Sequence, residues 1–279
     1  MISNLDYIVQ FMTRSFEKSI DYYMLSDKNY AVPKQKVKEY IENVLTIPYK
    51  EFINYVNDNK GSIEDDQLTQ SSNFAACSSE MCNAIVSNGN PGLRFIDIGQ
   101  QFPQYVKQKN DVAYRKYGEN QVKTSAQLGL TFEYYGYWYL SCVGYVYNEL
   151  NHQQQEALLA RTILRTPLYQ DMVLKLLCGD VDLTDYMKQI APSTQGRRAG
   201  SIIKLLDFCL RECSREGIKY YDLYYPVYVA KSKTLKLVKL PGTEYDSNEK
   251  ILFDAVVKPY EPLDEDEDIR MAAEERTEV

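Results

Sequence analysis

Residues 95–102, Phe-Ile-Asp-Ile-Gly-Gln-Gln-Phe, read beside residues 139–147, Tyr-Leu-Ser-Cys-Val-Gly-Tyr-Val-Tyr, decide how this chain is expected to fold. Both run aromatic, apolar, then Asp97 or Ser141, then apolar, then Gly99 or Gly144, with an aromatic three residues further on. The second copy is one residue longer. The pattern suits a strand that turns into a helix: Asp or Ser accepts from the first unpaired amides while the apolar residues close a core. The copies lie 44 residues apart and each follows a helical pattern, so a tandem array of similar units is expected.

Upstream, residues 1–28 carry Ile8, Phe11, Met12, Phe16 and Ile20 at helical spacing and read as one amphipathic helix. Pro33 opens a second helix with Val37, Tyr40, Ile41 and Leu45 on one face, and a third follows at 48–58. Residues 68–86 are helix-compatible and end in the turn 87–92; residues 93–102 read as a strand with a glycine break. Between the copies, 104–118 reads as a helix closing on Gly118 and 119–130 as a second short helix. Residues 133–150 form an aromatic hairpin running into a helix.

Downstream, helices are expected at 153–164, at 167–178 between Pro167 and Gly179, at 182–190 with Asp182 as cap, and at 192–213 with Ser193 as cap. A strand pair with a basic turn occupies 218–240. The expected fold class is mainly α with small β-hairpins (α+β), arranged as tandem winged-helix, or helix-turn-helix, units. The first unit lies within the helical residues 1–103, the second is 104–152, the third is 153–242, and 243–279 is an acidic tail.

Composition bounds the function. The chain has 279 residues, 44% hydrophobic and 25% charged, which leaves room for two or three small domains. Its 25 tyrosines suit half-wet surfaces and sheet edges, most of them as core or strand residues. No apolar run nears the roughly 20 residues that span a bilayer, and the first residues lack a signal peptide's basic and apolar regions. Six cysteines (77, 82, 142, 178, 209 and 213) include no CxxC pair, which argues against both a zinc site and a disulfide framework. Buried free thiols and a cytoplasmic location are expected.

The net charge of −7 disfavours nucleic-acid binding until it is divided along the chain. Residues 1–104 carry 9 basic and 13 acidic residues, 105–242 carry 19 basic and 13 acidic, and 243–279 carry 4 basic and 13 acidic. The middle is basic and the tail strongly acidic, so the tail is expected to regulate binding by charge competition.

The run 117–130 (Tyr-Gly-Glu-Asn-Gln-Val-Lys-Thr-Ser-Ala-Gln-Leu-Gly-Leu), the wing Tyr139-Leu140-Ser141 and the run Pro192-Ser193-Thr194-Gln195-Gly196-Arg197-Arg198 resemble a winged-helix domain found in bacterial restriction and phage-defence proteins. The resemblance covers roughly 105–215. It implies double-stranded-DNA recognition in a restriction-type system, with a nuclease or methyltransferase subunit as a further partner.

The residues carry their own case. A reading helix offers its N-terminal side chains to base edges and phosphates. In 119–130, Val122, Ala126 and Leu130 are expected inward, with Asn120, Gln121, Lys123, Thr124 and Gln127 outward. In 193–210, Ile202, Leu205, Leu206 and Cys209 form the apolar stripe, leaving Ser193, Thr194, Gln195, Arg197, Arg198, Ser201 and Lys204 for DNA. Lys231 and Lys233, with Lys236 and Lys239 following, suit a wing lying on the phosphate backbone. Residues 69–73 are a weaker candidate.

Nothing catalytic stands out. His152 is the only histidine and suits a helix start, and Asp58-Asn59-Lys60, the one acid-x-Lys tripeptide, lacks a flanking apolar strand. No phosphate-binding glycine loop occurs. No catalytic, metal or cofactor site is expected. The alternatives are a transcriptional regulator, a type II restriction endonuclease with a degenerate or partner-supplied centre, and a protein–protein adaptor.

Overall fold

Arg14 interrupts what the sequence presents as one long first helix. The computed structural model, which describes residues 3–27, 31–59, 74–215 and 224–239, has α1 (Asn4–Thr13) and α2 (Ser15–Asp27) on either side of it. Arg14 sits at φ 55°, a left-handed position that ends α1. The reason is electrostatic as much as local. From this bend the guanidinium reaches Glu17 at 3.0 Å and the carbonyl of Ala126 at 3.2 Å, far along the chain.

Then come α3 (Ala31–Thr46), α4 (Tyr49–Asp58), α5 (Phe74–Ser87), α6 (Phe95–Gln100) and α7 (Asp111–Gln127). A hairpin of β1 (Thr131–Tyr134) and β2 (Tyr137–Leu140) leads to α8 (Cys142–Tyr147), α9 (His152–Ile163) and α10 (Pro167–Cys178). The described chain closes with β3 (Val181–Asp182), α11 (Thr184–Lys188), α12 (Pro192–Arg215), β4 (Tyr224–Val229) and β5 (Thr234–Lys239). Helices dominate. The strands make two small antiparallel sheets, β1-β2 and β3-β5-β4, so the class is α+β.

The two copies of the aromatic–glycine pattern have different structures. Ser141 behaves as expected: it follows β2 and its hydroxyl accepts from the Gly144 amide at 2.9 Å, capping α8. Residues 95–102, expected as a strand, are instead mostly helical. Phe95, Ile98 and Phe102 recur at three- and four-residue steps, and Ile98 and Phe102 are buried. Asp97 lies inside α6, where its carboxylate accepts from the backbone amide and guanidinium of Arg94. α6 begins at Phe95 with Arg94 as its N-cap, so Asp97 stands at the third helical position and not in the capping position that Ser141 takes before α8.

Gly118 does not end a helix. It is buried in the middle of α7, so 104–118 and 119–130 are not a helix pair. A Cβ on Gly118 would stand 1.9 Å from the Phe95 carbonyl oxygen, and one on Gly99 equally close to that of Tyr114. The two glycines therefore let α6 and α7 cross backbone to backbone. Gly144 does the same for α8 against the Leu130 carbonyl, at 2.2 Å.

One cluster of buried apolar residues runs from Ile8 to Leu237 and draws on all three expected units. Charged groups are buried within it. Arg165 and Glu17 are both fully covered, and the guanidinium makes two bonds to the carboxylate, one of 3.1 Å from Nη1. The same guanidinium lies 3.8 Å from the centre of the Phe11 ring. Arg161, also covered, donates to the Ile47 carbonyl at 2.8 Å and lies over the rings of Tyr49 and Phe52.

Losing one member of a buried pair costs about 3–5 kcal/mol, and less here because Arg14 stays 3.0 Å from the Glu17 carboxylate. Arg165→Met is expected to lower unfolding free energy in urea by about 2–3 kcal/mol, and Glu17→Leu/Arg165→Met, which leaves the part-exposed Arg14 without its acid, to recover part of the loss. Equal losses in the single and double variants would show that the ion pair is not what matters.

Asp21 offers a pH signature. Burial pushes its carboxyl up to about 6, although it accepts from the Cys142 amide at 2.7 Å and has Arg14 nearby. The folded state thus holds the proton more tightly than an unfolded chain with an ordinary value of 3.8. The resulting stability is full below about pH 4 and is lost as pH rises through about 6. A gap of about two pH units corresponds to about 3 kcal/mol. Asp21→Asn keeps the acceptor and is expected to flatten the stability profile between pH 4 and pH 8. An unchanged slope would rule Asp21 out as its source.

Candidate nucleic-acid interface

The C-terminal elements run α10, β3, α11, α12, β4, β5, with β5 central in its sheet. Pro167 is the first residue of α10 and Gly179 ends it at φ 149°, both as the sequence suggests. Asp182 stands one position earlier than expected of a cap, yet its carboxylate accepts from the Thr184 amide at 2.8 Å. Hydrogen bonding from the Thr184 side chain, and then from its amide, holds the acid below its ordinary range. The short α11 then turns into α12 through Ile190 and Ala191.

α12 begins at Pro192, so Ser193 is an exposed first-turn residue rather than the cap. The helix divides cleanly by angle. At about 100° per residue, Ser193, Arg197, Lys204 and Arg211 fall within roughly 40° of one another. Ala199, Ile202, Leu205, Leu206 and Cys209 lie on the opposite side and are buried against the core. The stripe therefore fixes which way Arg197 and Lys204 point.

Two residues expected at the DNA face are committed elsewhere. The Gln195 amide donates to the carbonyls of Met187 at 2.8 Å and Ile190 at 3.1 Å, tying α12 to the end of α11. Ser201 is 2% exposed, on the core side of the helix. Thr194 and Arg198 are half-buried, and Arg198 has interactions within the protein. Arg197 is exposed and Lys204 half-exposed. In the β4–β5 turn Lys231 is exposed and Lys233 half-exposed at φ 54°.

Ion pairing separates these cations from their neighbours. Among the described residues, Arg197, Lys204, Lys231 and Lys233 have no acidic partner within 4.0 Å. Lys188 pairs with Asp185 at 2.9 Å, Arg211 with Asp207 at 2.9 Å, and Lys236 with Asp180 at 3.1 Å. Arg215 pairs with Glu156 and Glu212. Uncompensated positive charge thus gathers on the N-terminal half of α12 and at the hairpin turn. The far half of α12 is neutralised. Nothing is described of the Lys239 side chain.

The other expected reading face, 119–130, is the second half of α7 and is largely occupied. Thr124 and Gln127 are buried, not outward: Thr124 donates to the Asn120 carbonyl at 2.8 Å, and Gln127 donates to the Thr166 hydroxyl at 2.8 Å. Lys123 pairs with Glu119 at 2.8 Å and lies over the Phe95 ring. Asn120 and Gln121 are half-buried. Residues 69–73, Lys60 of the acid-x-Lys tripeptide and the acidic tail fall outside the described residues.

One concave feature escaped the sequence. An open cleft of about 540 Å³ lies where α6, the start of α7 and the hairpin tip meet, with Phe95, Ile96 and Val112 as apolar lining. Arg94 and Arg115 face it, but Arg94 is paired with Asp97 and Asp111 also lines the cleft, so its charges cancel. It favours no anion. His152 is a surface residue, 83% exposed, 3.4 Å from Glu156. Among the described residues no three His, Cys, Asp or Glu side chains converge on a common point. Burial pushes the Cys209 thiol up to about 12 and raises Cys82 and Cys142 well above the ordinary value, so these free thiols are poor nucleophiles. No helix among the described residues is long and apolar enough to cross a membrane.

Comparison of the chain with family models, curated proteins and solved structures returns no match. Gln195→Ala is expected to cost about 1–2 kcal/mol of stability, since it removes two part-buried hydrogen bonds between α12 and the end of α11. Arg197→Ala, on an exposed position, is expected to stay within about 0.5 kcal/mol of the parent. Urea unfolding of both checks the division between holding and contacting residues; a reversed order would overturn it.

Proposed function

We propose that this chain binds double-stranded DNA through a winged-helix unit formed by residues 167–239, with α12 as the reading helix and the β4–β5 turn as the wing. The observation that carries the reading is the uncompensated charge of Arg197, Lys204, Lys231 and Lys233, set on a helix face and a hairpin turn of one small unit. The order helix, strand, helix, helix, strand, strand, with the last strand between the other two, also supports it. A helix of this width fits the major groove, with arginine near its N-terminus suited to guanine or phosphate, while wing lysines contact the backbone.

Within this proposal the chain is the target-recognition part of a restriction or phage-defence system, working in the cytoplasm beside a nuclease or methyltransferase subunit. That narrower role rests on the resemblance of 192–198 to such domains. The buried commitments of Thr124 and Gln127 lead us to assign recognition to α12 alone.

The test is duplex binding by the full chain over a salt series, with a randomised duplex library and Mg²⁺ present. Affinity is expected to fall linearly in log–log form with salt. Arg197→Ala is expected to weaken specific binding about 5- to 100-fold and relax preference at one position. Replacing Lys231 and Lys233 by Ala is expected to weaken binding to all sequences alike. It should also reduce the salt slope by about one for each phosphate no longer neutralised. Absence of duplex binding at about 50 mM salt, with the fold intact, would overturn the proposal.

A further inference from the structure

β5 delivers the chain directly from the basic unit into a strongly acidic stretch. Residues 240–279 hold 13 acidic residues against 4 basic ones, and Asp264, Glu265, Asp266, Glu267 and Asp268 form an unbroken run. We infer that this run is the intramolecular occupant of the uncompensated cations Arg197 and Lys204 on α12 and Lys231 and Lys233 at the β4–β5 turn, so that DNA must displace it. The inference rests on the proposed reading of that face and names its regulation.

Charge complementarity is the first argument. These four cations lack an acid within the described structure, while Lys188, Arg211, Arg215 and Lys236 of the same unit are paired. An acidic run supplies the missing countercharges. A run of five carboxylates and a DNA strand are both polyanions with closely spaced negative charges. The same side chains can therefore answer either polyanion.

Reach is the second. Asp264 lies 25 residues beyond Lys239, the end of β5. That length spans up to about 85 Å when extended, whereas α12 is only about 36 Å long. A tether on this scale gives an effective concentration near the millimolar range, so even a weak contact is populated. Ionic contacts of this kind are also screened by salt.

The test pairs a DNA readout with one that needs no DNA. Duplex affinity is compared for the full chain, for the chain ending at Tyr260, and for a full-length variant with Asp264, Asp266 and Asp268 changed to Asn and Glu265 and Glu267 to Gln. Both altered chains are expected to bind about tenfold more tightly at about 50 mM salt, the gain vanishing near 0.5 M. In parallel, the full chain alone is treated with a zero-length carbodiimide and the products are mapped by mass spectrometry. Carboxylates 261–268 are expected to couple within one chain to Lys204, Lys231 or Lys233, and not to do so in 1 M salt. Coupling without any duplex binding would keep the tail contact and overturn the DNA reading. Duplex binding of equal strength in all three chains, with no coupling to these lysines, would overturn the tail contact and leave the DNA reading in place.

Discussion

The Glu17 carboxylate gathers three stretches of chain that the sequence gives no reason to connect. Arg165 reaches it from the turn between α9 and α10, Arg14 from the break between α1 and α2, and the Tyr40 hydroxyl from α3 at 3.4 Å. The end of α7 is drawn into the same place. Arg14 holds the Ala126 carbonyl, and Gly129, at φ 78°, passes so close that a Cβ there would stand 2.6 Å from the Arg165 guanidinium. A buried charge is costly unless its partners are in place, so this arrangement tolerates few alternatives. It fixes the angle at which the N-terminal helices meet the rest.

That constraint also explains what sits at the two ends of the cluster. Gln127 and Thr166 bond across from α7 to the first turn of α10, next to Arg165. The α9–α10 junction is thus held on one side by the N-terminal helices and on the other by α7. α10 in turn packs on β3 and β5, and α12 packs on β4 and α9. The face proposed to meet DNA is carried on elements whose footing is this ionic core, although none of its own side chains takes part in it.

Periodicity made much of this legible. The apolar steps of α1, α3 and α12 and the proline and glycine that bracket α10 follow from local chemistry and are present as read, and the hairpin read within 133–150 begins two residues earlier, at Thr131, before running into α8. The failures share a cause. Gly118 and Gly99 look like breaks in the chain, but their lack of a side chain serves the crossing of α6 and α7. A glycine needed for a neighbour cannot be told from one needed for a turn when only one side of the crossing is in view. Thr124, Gln127 and Gln195 failed likewise, as polar residues whose partners are distant in sequence or carbonyls of a preceding turn. Arg161 and Arg165 carried no local signal of burial at all.

Net charge is a poor guide to this chain because so many of its charges are spent internally. Arg211, Arg215, Lys188 and Lys236 add to the formal count of basic residues in the C-terminal unit, yet each is answered by an acid within the fold. What remains among the described residues of that unit is a small set on α12 and at the β4–β5 turn, and its potential is set by the absence of near acids more than by the number of cations. Exposed ion pairs add little to stability, about 0–1 kcal/mol each. Their larger consequence here is that, among the described residues of this unit, Arg197, Lys204, Lys231 and Lys233 stand without a near acid while their paired neighbours do not. A polyanion approaching this unit therefore meets an attractive end of α12 and an indifferent one, which orients the approach before any base or backbone contact forms.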